Sequence, residues 1–331
     1  MINKNDLIKC HDRIKPFIHN TPVLTSSSIN KMIGANLFFK CDNFQKMGAF
    51  KMRGAANAIL QLSEDQKKRG VVTHSSGNFA QALSLAANSI GVKAYIVMPS
   101  NATEIKKIAV KGYMGELIEC EPTLSAREKK SKEIQESTGA TFIHPSNDLD
   151  VILGQGTACK ELLERHSDLD YIFTPVGGGG LIAGSALAAK YFGSNCTVIG
   201  SEPFEVDDAY RSLISGKIEK NNLTNTIADG LKTELGDINF PIIKKEINEI
   251  IRVTEREIIE SMKIIWERLK IVCEPSCAVP LAAIFKEKKS FQQKKCEIAC
   301  ISSGGEVAQI ATENKYNWIK VPGGFPPRTC F

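Results

Sequence analysis

Short runs of β-branched and aliphatic residues recur from one end of the chain to the other: Leu37 to Lys40, Val71 to Thr73, Ala94 to Met98, Leu117 to Ile118, Tyr171 to Pro175, Thr197 to Gly200, Ile251 to Val253 and Ile298 to Ile301. Between them, Phe79 to Ala87, Thr103 to Lys111, Leu181 to Phe192, Glu255 to Leu269 and Val279 to Phe285 carry apolar residues at helical spacing. This alternation predicts an open α/β fold whose parallel sheets are covered on both faces. No repeat of fixed period and no low-complexity linker splits the chain, so the roughly two domains expected from its length are interleaved. Residues 70–147 read as a small domain inserted in a larger one made of 1–69 and 148–318. The last stretch, 319–331, contains Val321-Pro322-Gly323-Gly324-Phe325-Pro326-Pro327 and follows neither period, which predicts an exposed tail.

Charge narrows the partners. Lys+Arg 42 against Asp+Glu 37 leaves a net +5 without a large basic cluster, so nucleic acid is not expected as a partner. No apolar run approaches the roughly 20 residues of a membrane helix, and Met1-Ile2-Asn3-Lys4-Asn5-Asp6 lacks a signal-peptide core. A cytoplasmic location with no membrane contact is expected. The ten cysteines form no close-paired framework and read as reduced thiols.

Three local patterns carry candidate chemistry. Tyr171 to Pro175 runs into Val176-Gly177-Gly178-Gly179-Gly180 and then a helix; such a turn can aim backbone amides at an anion beside the positive helix terminus, so a phosphate belongs there. Gly178-x-Gly180-x-x-Ala183, with Glu202 about 20 residues on, also satisfies the loose dinucleotide fingerprint, which leaves a nicotinamide reading open. His74-Ser75-Ser76-Gly77-Asn78 follows a second strand, where polar side chains face the ligand crevice. Lys51 stands between Phe50 and Met52 at the mouth of an alanine-rich helix, and apolar surroundings favour the neutral amine that Schiff-base chemistry requires.

Taken in this order, the patterns resemble the serine racemase and serine/threonine dehydratase family of fold-type II pyridoxal-phosphate enzymes. Gly48-Ala49-Phe50-Lys51-Met52-Arg53-Gly54-Ala55 is similar to the family's lysine motif, Ser75-Ser76-Gly77-Asn78 to its asparagine loop, Gly177 to Gly180 to its phosphate cup, and Ser303-Gly304-Gly305 to its pyridine-nitrogen site. Thr21-Pro22-Val23-Leu24-Thr25, Phe38-Phe39-Lys40-Cys41, Gly154-Gln155-Gly156-Thr157 and Ile227-Ala228-Asp229-Gly230 extend the likeness over Leu7 to Gly305.

The resemblance implies two open, twisted, mostly parallel sheets and a pyridoxal 5'-phosphate cofactor. It implies that Lys51 holds the cofactor aldehyde and shuttles the Cα proton, that Phe50 packs beside the ring, and that Asn78 bonds the phenolic oxygen. The amides of Gly177, Gly178, Gly179 and Gly180 would take the phosphate and Ser303 the pyridine nitrogen. Ser76, opposite the lysine, would be the second acid/base of a racemase, where dehydratases tend to carry alanine. Ser75, Ser76 and Asn78 would receive the substrate carboxylate, with Arg127 and Thr233 near a distal polar group. Glu202, Asp208 and the Val206 carbonyl resemble the family's Mg²⁺ or Ca²⁺ site, and hard oxygen ligands suit either ion. Phe79 replaces a usual histidine and Glu306 an asparagine, which leaves serine, threonine and 3-hydroxyaspartate open as substrates. The expectation is a homodimeric serine racemase with accompanying β-elimination to pyruvate and ammonia, with a nucleotide effector left open. A serine/threonine or 3-hydroxyaspartate dehydratase is the alternative, ahead of a nicotinamide dehydrogenase or a silent cofactor-binding protein.

Overall fold

The computed structural model describes residues 2–291, 296–302 and 304. Among the described residues ten strands form two sheets: β1 (Val23–Thr25), β2 (Asn36–Cys41), β3 (Val71–His74), β4 (Ala94–Pro99), β5 (Glu116–Cys120), β6 (Thr141–Phe142), β7 (Tyr171–Pro175), β8 (Thr197–Pro203), β9 (Ile250–Val253) and β10 (Glu297–Ser302). The six-stranded sheet has the order β1-β2-β10-β7-β8-β9 and the four-stranded sheet β5-β4-β3-β6. Only β1 runs antiparallel, against β2; the remaining pairs are parallel. The open, mostly parallel α/β fold expected from the apolar runs is therefore the fold observed. Because the four-stranded sheet draws its strands from residues 71–142, a smaller α/β unit interrupts the chain of the larger one.

Two edge strands were not foreseen. β1 has three residues and β6 two, too few to establish a period. The helix expected over Glu255 to Leu269 is α-helical only to Ile264; Ile265–Leu269 widens into a π turn that ends at Lys270 with φ 59°. The expected tail and the positions Ser303, Gly305 and Glu306 lie outside the described residues. Among the described cysteines, Cys10, Cys41, Cys120, Cys159, Cys196, Cys273 and Cys300 are free thiols.

The large sheet is buried on both faces. One face packs Phe39, Phe173, Ile199 and Ile298 against Val279 and Leu281, and the other packs Ile172, Val198 and Ile301 against Leu162 and Ile182. Helices Lys51–Leu60, Leu149–Arg165 and Gly180–Phe192 meet at glycines. A Cβ on Gly154 would come 2.5 Å from the Gly54 Cα, and one on Gly156 would come 2.6 Å from the Gly184 carbonyl oxygen. The Gly154-Gln155-Gly156-Thr157 segment thus serves close helix packing, with no backbone left open to a ligand.

A buried ionic cluster anchors the Lys51 helix. Arg53 donates from Nε to Asp42 at 2.7 Å and from Nη1 and Nη2 to Glu161 at 2.7 and 2.9 Å, while Lys40 Nζ donates to Glu161 at 2.7 Å. Arg53 is wholly buried and Lys40 is 1% exposed, so β2 and the Leu149 helix hold the residue two places after Lys51 in a fixed position.

Candidate active site

Four helices open on one crevice at the carboxyl ends of the strands: Lys51–Leu60, Asn78–Ile90, Gly180–Phe192 and Pro275–Lys286. Their first residues, Lys51, Asn78 and Gly180, and the Glu274 cap of the fourth line two adjoining cavities of about 430 and 70 Å³. Helix N-termini leave donors free and carry partial positive charge, so their convergence makes an anion-attracting site.

The smaller cavity is bounded by Phe50, Lys51, Asn78 and the turn Gly177 to Gly180. Every glycine of that turn is packed from behind. A Cβ would meet Leu231 Cα at 2.8 Å from Gly177, Ser146 Oγ at 2.4 Å from Gly178, Asn239 Oδ1 at 2.7 Å from Gly179 and the Ser146 carbonyl oxygen at 3.0 Å from Gly180. Gly179 also has φ +79°, where other residues are strained. Close packing therefore accounts for the glycines themselves. The anion argument rests on their amides, which find no acceptor among the described residues. Asn239 braces the turn by donating Nδ2 to the Gly178 carbonyl at 2.8 Å.

Lys51 Nζ lies 5.0 Å from the Phe50 ring centre and 5.8 Å from that of Phe79, and donates to the Pro145 carbonyl at 2.9 Å. Burial lowers its pKa to about 8, with the Glu274 carboxylate opposing the shift. The apolar setting read from the sequence is thus formed by two aromatic side chains, and Phe79 is one of them.

The larger cavity gathers Lys51, Ser75, Ser76, Asn78, Arg127 and Thr233. Asn78 Nδ2 donates to the Gly304 carbonyl at 3.1 Å and approaches Glu274 Oε1 at 3.5 Å. Thr233 borders both cavities. Arg127 lies near enough to His74 to help hold that imidazole neutral, after burial as the main cause. Ser303 is outside the described residues.

Two residues of this site were missed in the sequence. His144 lines the larger cavity just beyond β6 and accepts at Nδ1 from the amides of Ser146 and Asn147 at 3.2 and 2.8 Å. Its proton therefore sits on Nε2, and burial, with His74 and Lys51 nearby, brings its pKa down to about 4. Glu274 borders both cavities from the Pro275 helix. Its signal was Glu274-Pro275-Ser276 opening an apolar helix; that of His144 was a polar run after a strand too short to recognise.

Glu202, Val206 and Asp208 line neither cavity. Glu202 is fully buried at the end of β8 and accepts from the amides of Ala209 and Tyr210 at 3.2 and 2.9 Å. Asp208, equally buried, accepts from Asn221 Nδ2 at 2.7 Å and from the Leu235 amide at 3.2 Å. Burial pushes Asp208 up to about 7; it pushes Glu202 well above the carboxylate range, Asp208 adding to the effect. Among the described residues no cluster of three or more His, Cys, Asp or Glu could hold a metal.

Residues 14–304 match the family model described as "Pyridoxal-phosphate dependent enzyme". The chain is 48% identical over 308 residues to serine racemase of Dictyostelium discoideum, covering 92% of this chain and 95% of that protein. It is 46% identical over 302 residues to the beta-hydroxyaspartate dehydratase of Paracoccus denitrificans, covering 91% and 95%. The structure of maize serine racemase superposes with a TM-score of 0.89 at 44% identity, covering 92% of this chain and 94% of that one.

Proposed function

This chain belongs to the pyridoxal-phosphate dependent enzyme family, and on that premise we propose that it interconverts L- and D-serine and also eliminates water from serine to an enamine, whose hydrolysis by water gives pyruvate and ammonia. The observation that carries the reading is the meeting of Lys51 and Ser76 on one cavity that adjoins the glycine turn.

The residues present suit the cofactor. Uncommitted amides at Gly177 to Gly180 beside a helix terminus match a phosphate, and an amine lowered to about 8 matches an aldehyde. When bound, pyridoxal phosphate supplies the electron sink that stabilises negative charge at the substrate Cα. Lys51 Nζ withdraws or returns the Cα proton on one side, and Ser76 Oγ does so on the other. Two acids on opposite faces permit inversion; a single face suffices for loss of the β-hydroxyl. Ser75, Ser76 and Asn78, at the start of the Asn78 helix, receive the α-carboxylate. Glu274 faces Asn78 and keeps negative charge near the Lys51 amine. Residues 70–147 are taken as the small domain against 1–69 and 148–318. The Lys106–Asp229 ion pair of 2.8 Å, both partners lining the larger cavity, then links the two domains at the site.

A dehydratase acting on 3-hydroxyaspartate is the second reading, favoured by Arg127 on the cavity wall, a cation suited to a second carboxylate. Glu202, Asp208 and the Val206 carbonyl are proposed to hold Mg²⁺ or Ca²⁺. Two buried carboxylates are the donor type hard cations take, and such a cation would offset their raised pKa values. Incubating the purified enzyme with L-serine tests the proposal: D-serine and pyruvate are both expected, and pyruvate alone, or turnover only of 3-hydroxyaspartate, would favour the dehydratase.

A further inference from the structure

The Pro275–Lys286 helix presents a second side chain to the cofactor cavity. Ser276 is 1% exposed, and its Oγ has no hydrogen-bond partner among the described residues. A buried polar group left unpaired is destabilising, so an orphan hydroxyl in a native fold calls for an absent partner. Thr174, Ser185 and Ser201 also have unpaired buried hydroxyls, yet none of them lines either cavity. Ser276 lines the smaller one together with Phe50, Lys51 and the glycine turn.

Its hydroxyl lies beside a residue that borders both cavities. Ser276 Oγ lies 3.0 Å from the position a Cβ on Gly230 would take, and Gly230 borders both cavities. The next residue, Cys277, accepts at Sγ from the Gly304 amide at 2.9 Å, and the Gly304 carbonyl accepts from Asn78 Nδ2 at 3.1 Å. Ser276 thus joins, through its neighbour, the same contacts that hold Asn78. Its place in the first turn of a 12-residue helix adds partial positive charge, which favours an electron-rich acceptor.

We propose that the Ser276 hydroxyl donates a hydrogen bond to bound pyridoxal phosphate, as a cofactor contact beyond Lys51, Asn78, the glycine turn and Ser303. The inference rests on the cofactor reading above. Among the described residues the hydroxyl has no partner, and bound cofactor would supply one.

The test compares wild type with Ser276→Ala after removal of the cofactor. Pyridoxal phosphate is titrated back by absorbance, and thermal midpoints are measured with and without it. The variant should bind the cofactor about tenfold more weakly, the equivalent of one lost hydrogen bond. Its cofactor-free midpoint should be unchanged or higher, because an unpaired buried polar group has been removed, and the rise in midpoint on adding cofactor should shrink. Wild-type affinity in the variant would overturn the contact, as would equal loss of midpoint in both states with affinity unchanged. Wild-type protein that takes up no cofactor would overturn the underlying reading and the contact with it.

Discussion

An amine between two aromatic rings, with one carbonyl as its hydrogen-bond partner, is more reactive than a solvated lysine because desolvation disfavours its charged form. Lowered to about 8, the Lys51 amine should be largely neutral a little above that pH, whereas an ordinary lysine remains protonated to about 10.4. In cofactor-free protein, acylation of Lys51 followed by peptide mass spectrometry should rise through pH 8 and level off by about pH 9. A profile still climbing through pH 10 would remove the premise. Lys51→Ala should lose all turnover and the visible absorbance of the loaded enzyme while keeping the wild-type circular dichroism. His144 behaves in the opposite sense to a neutral-pH switch: with its pKa at about 4 it stays uncharged from pH 5 upward, so it should add no ionisation to a rate profile near neutrality.

At the scale of elements, precision comes from how the Lys51 helix is held. Burial alone would raise Glu161, but its bond to His11 and the charges and bonds of Arg53 and Lys40 outweigh that and hold it well below the usual carboxylate range. A carboxylate depressed in the folded state stabilises above its unfolded pKa of about 4.3, and that contribution fades as pH falls below it. Glu161→Gln leaves the buried Arg53 and Lys40 facing a neutral amide and should cost about 3–5 kcal/mol. Urea denaturation at pH 7 measures this, with the deficit narrowing toward pH 3; a variant as stable as wild type would show that the cluster is not an anchor. Little of this cluster was legible beforehand. Arg53, Asp42 and Glu161 lie on three elements, and no local period marks a charge as buried. Strands such as β4 and β7 were legible because burial on both faces leaves a continuous apolar run. β6 was not, since its two residues carry no pattern, and His144 was lost with it. The glycine turn was found, but for a reason the structure revises: its side-chain positions are closed by Ser146, Leu231, Leu235 and Asn239, contacts that no sequence window contains.

The whole molecule joins two sheets around one crevice, and the proposed cation site touches that crevice from a distance. Asp208 receives the amide of Leu235, and Leu235 lines the larger cavity beside Thr233. Removing a bound Mg²⁺ or Ca²⁺ would leave two buried acid groups without a counter-charge next to that segment. Treatment with a chelator should therefore lower both the thermal midpoint and activity, with either ion restoring them. An Asp208→Asn variant identical to wild type, with no effect of chelator on either protein, would argue that no functional cation binds there.

The central claim is that two acid/base groups, one on each side of the substrate Cα, divide the chemistry of this enzyme. Ser76→Ala leaves Lys51 and the cofactor cradle in place, so the most direct measurement follows both serine enantiomers by chiral chromatography alongside a pyruvate assay. The account predicts that elimination from L-serine persists, while racemisation in both directions and elimination from D-serine fall by about 10²–10⁴-fold, the usual range for a lost general acid/base. Equal loss of all these activities, or racemisation that survives the substitution, would contradict it.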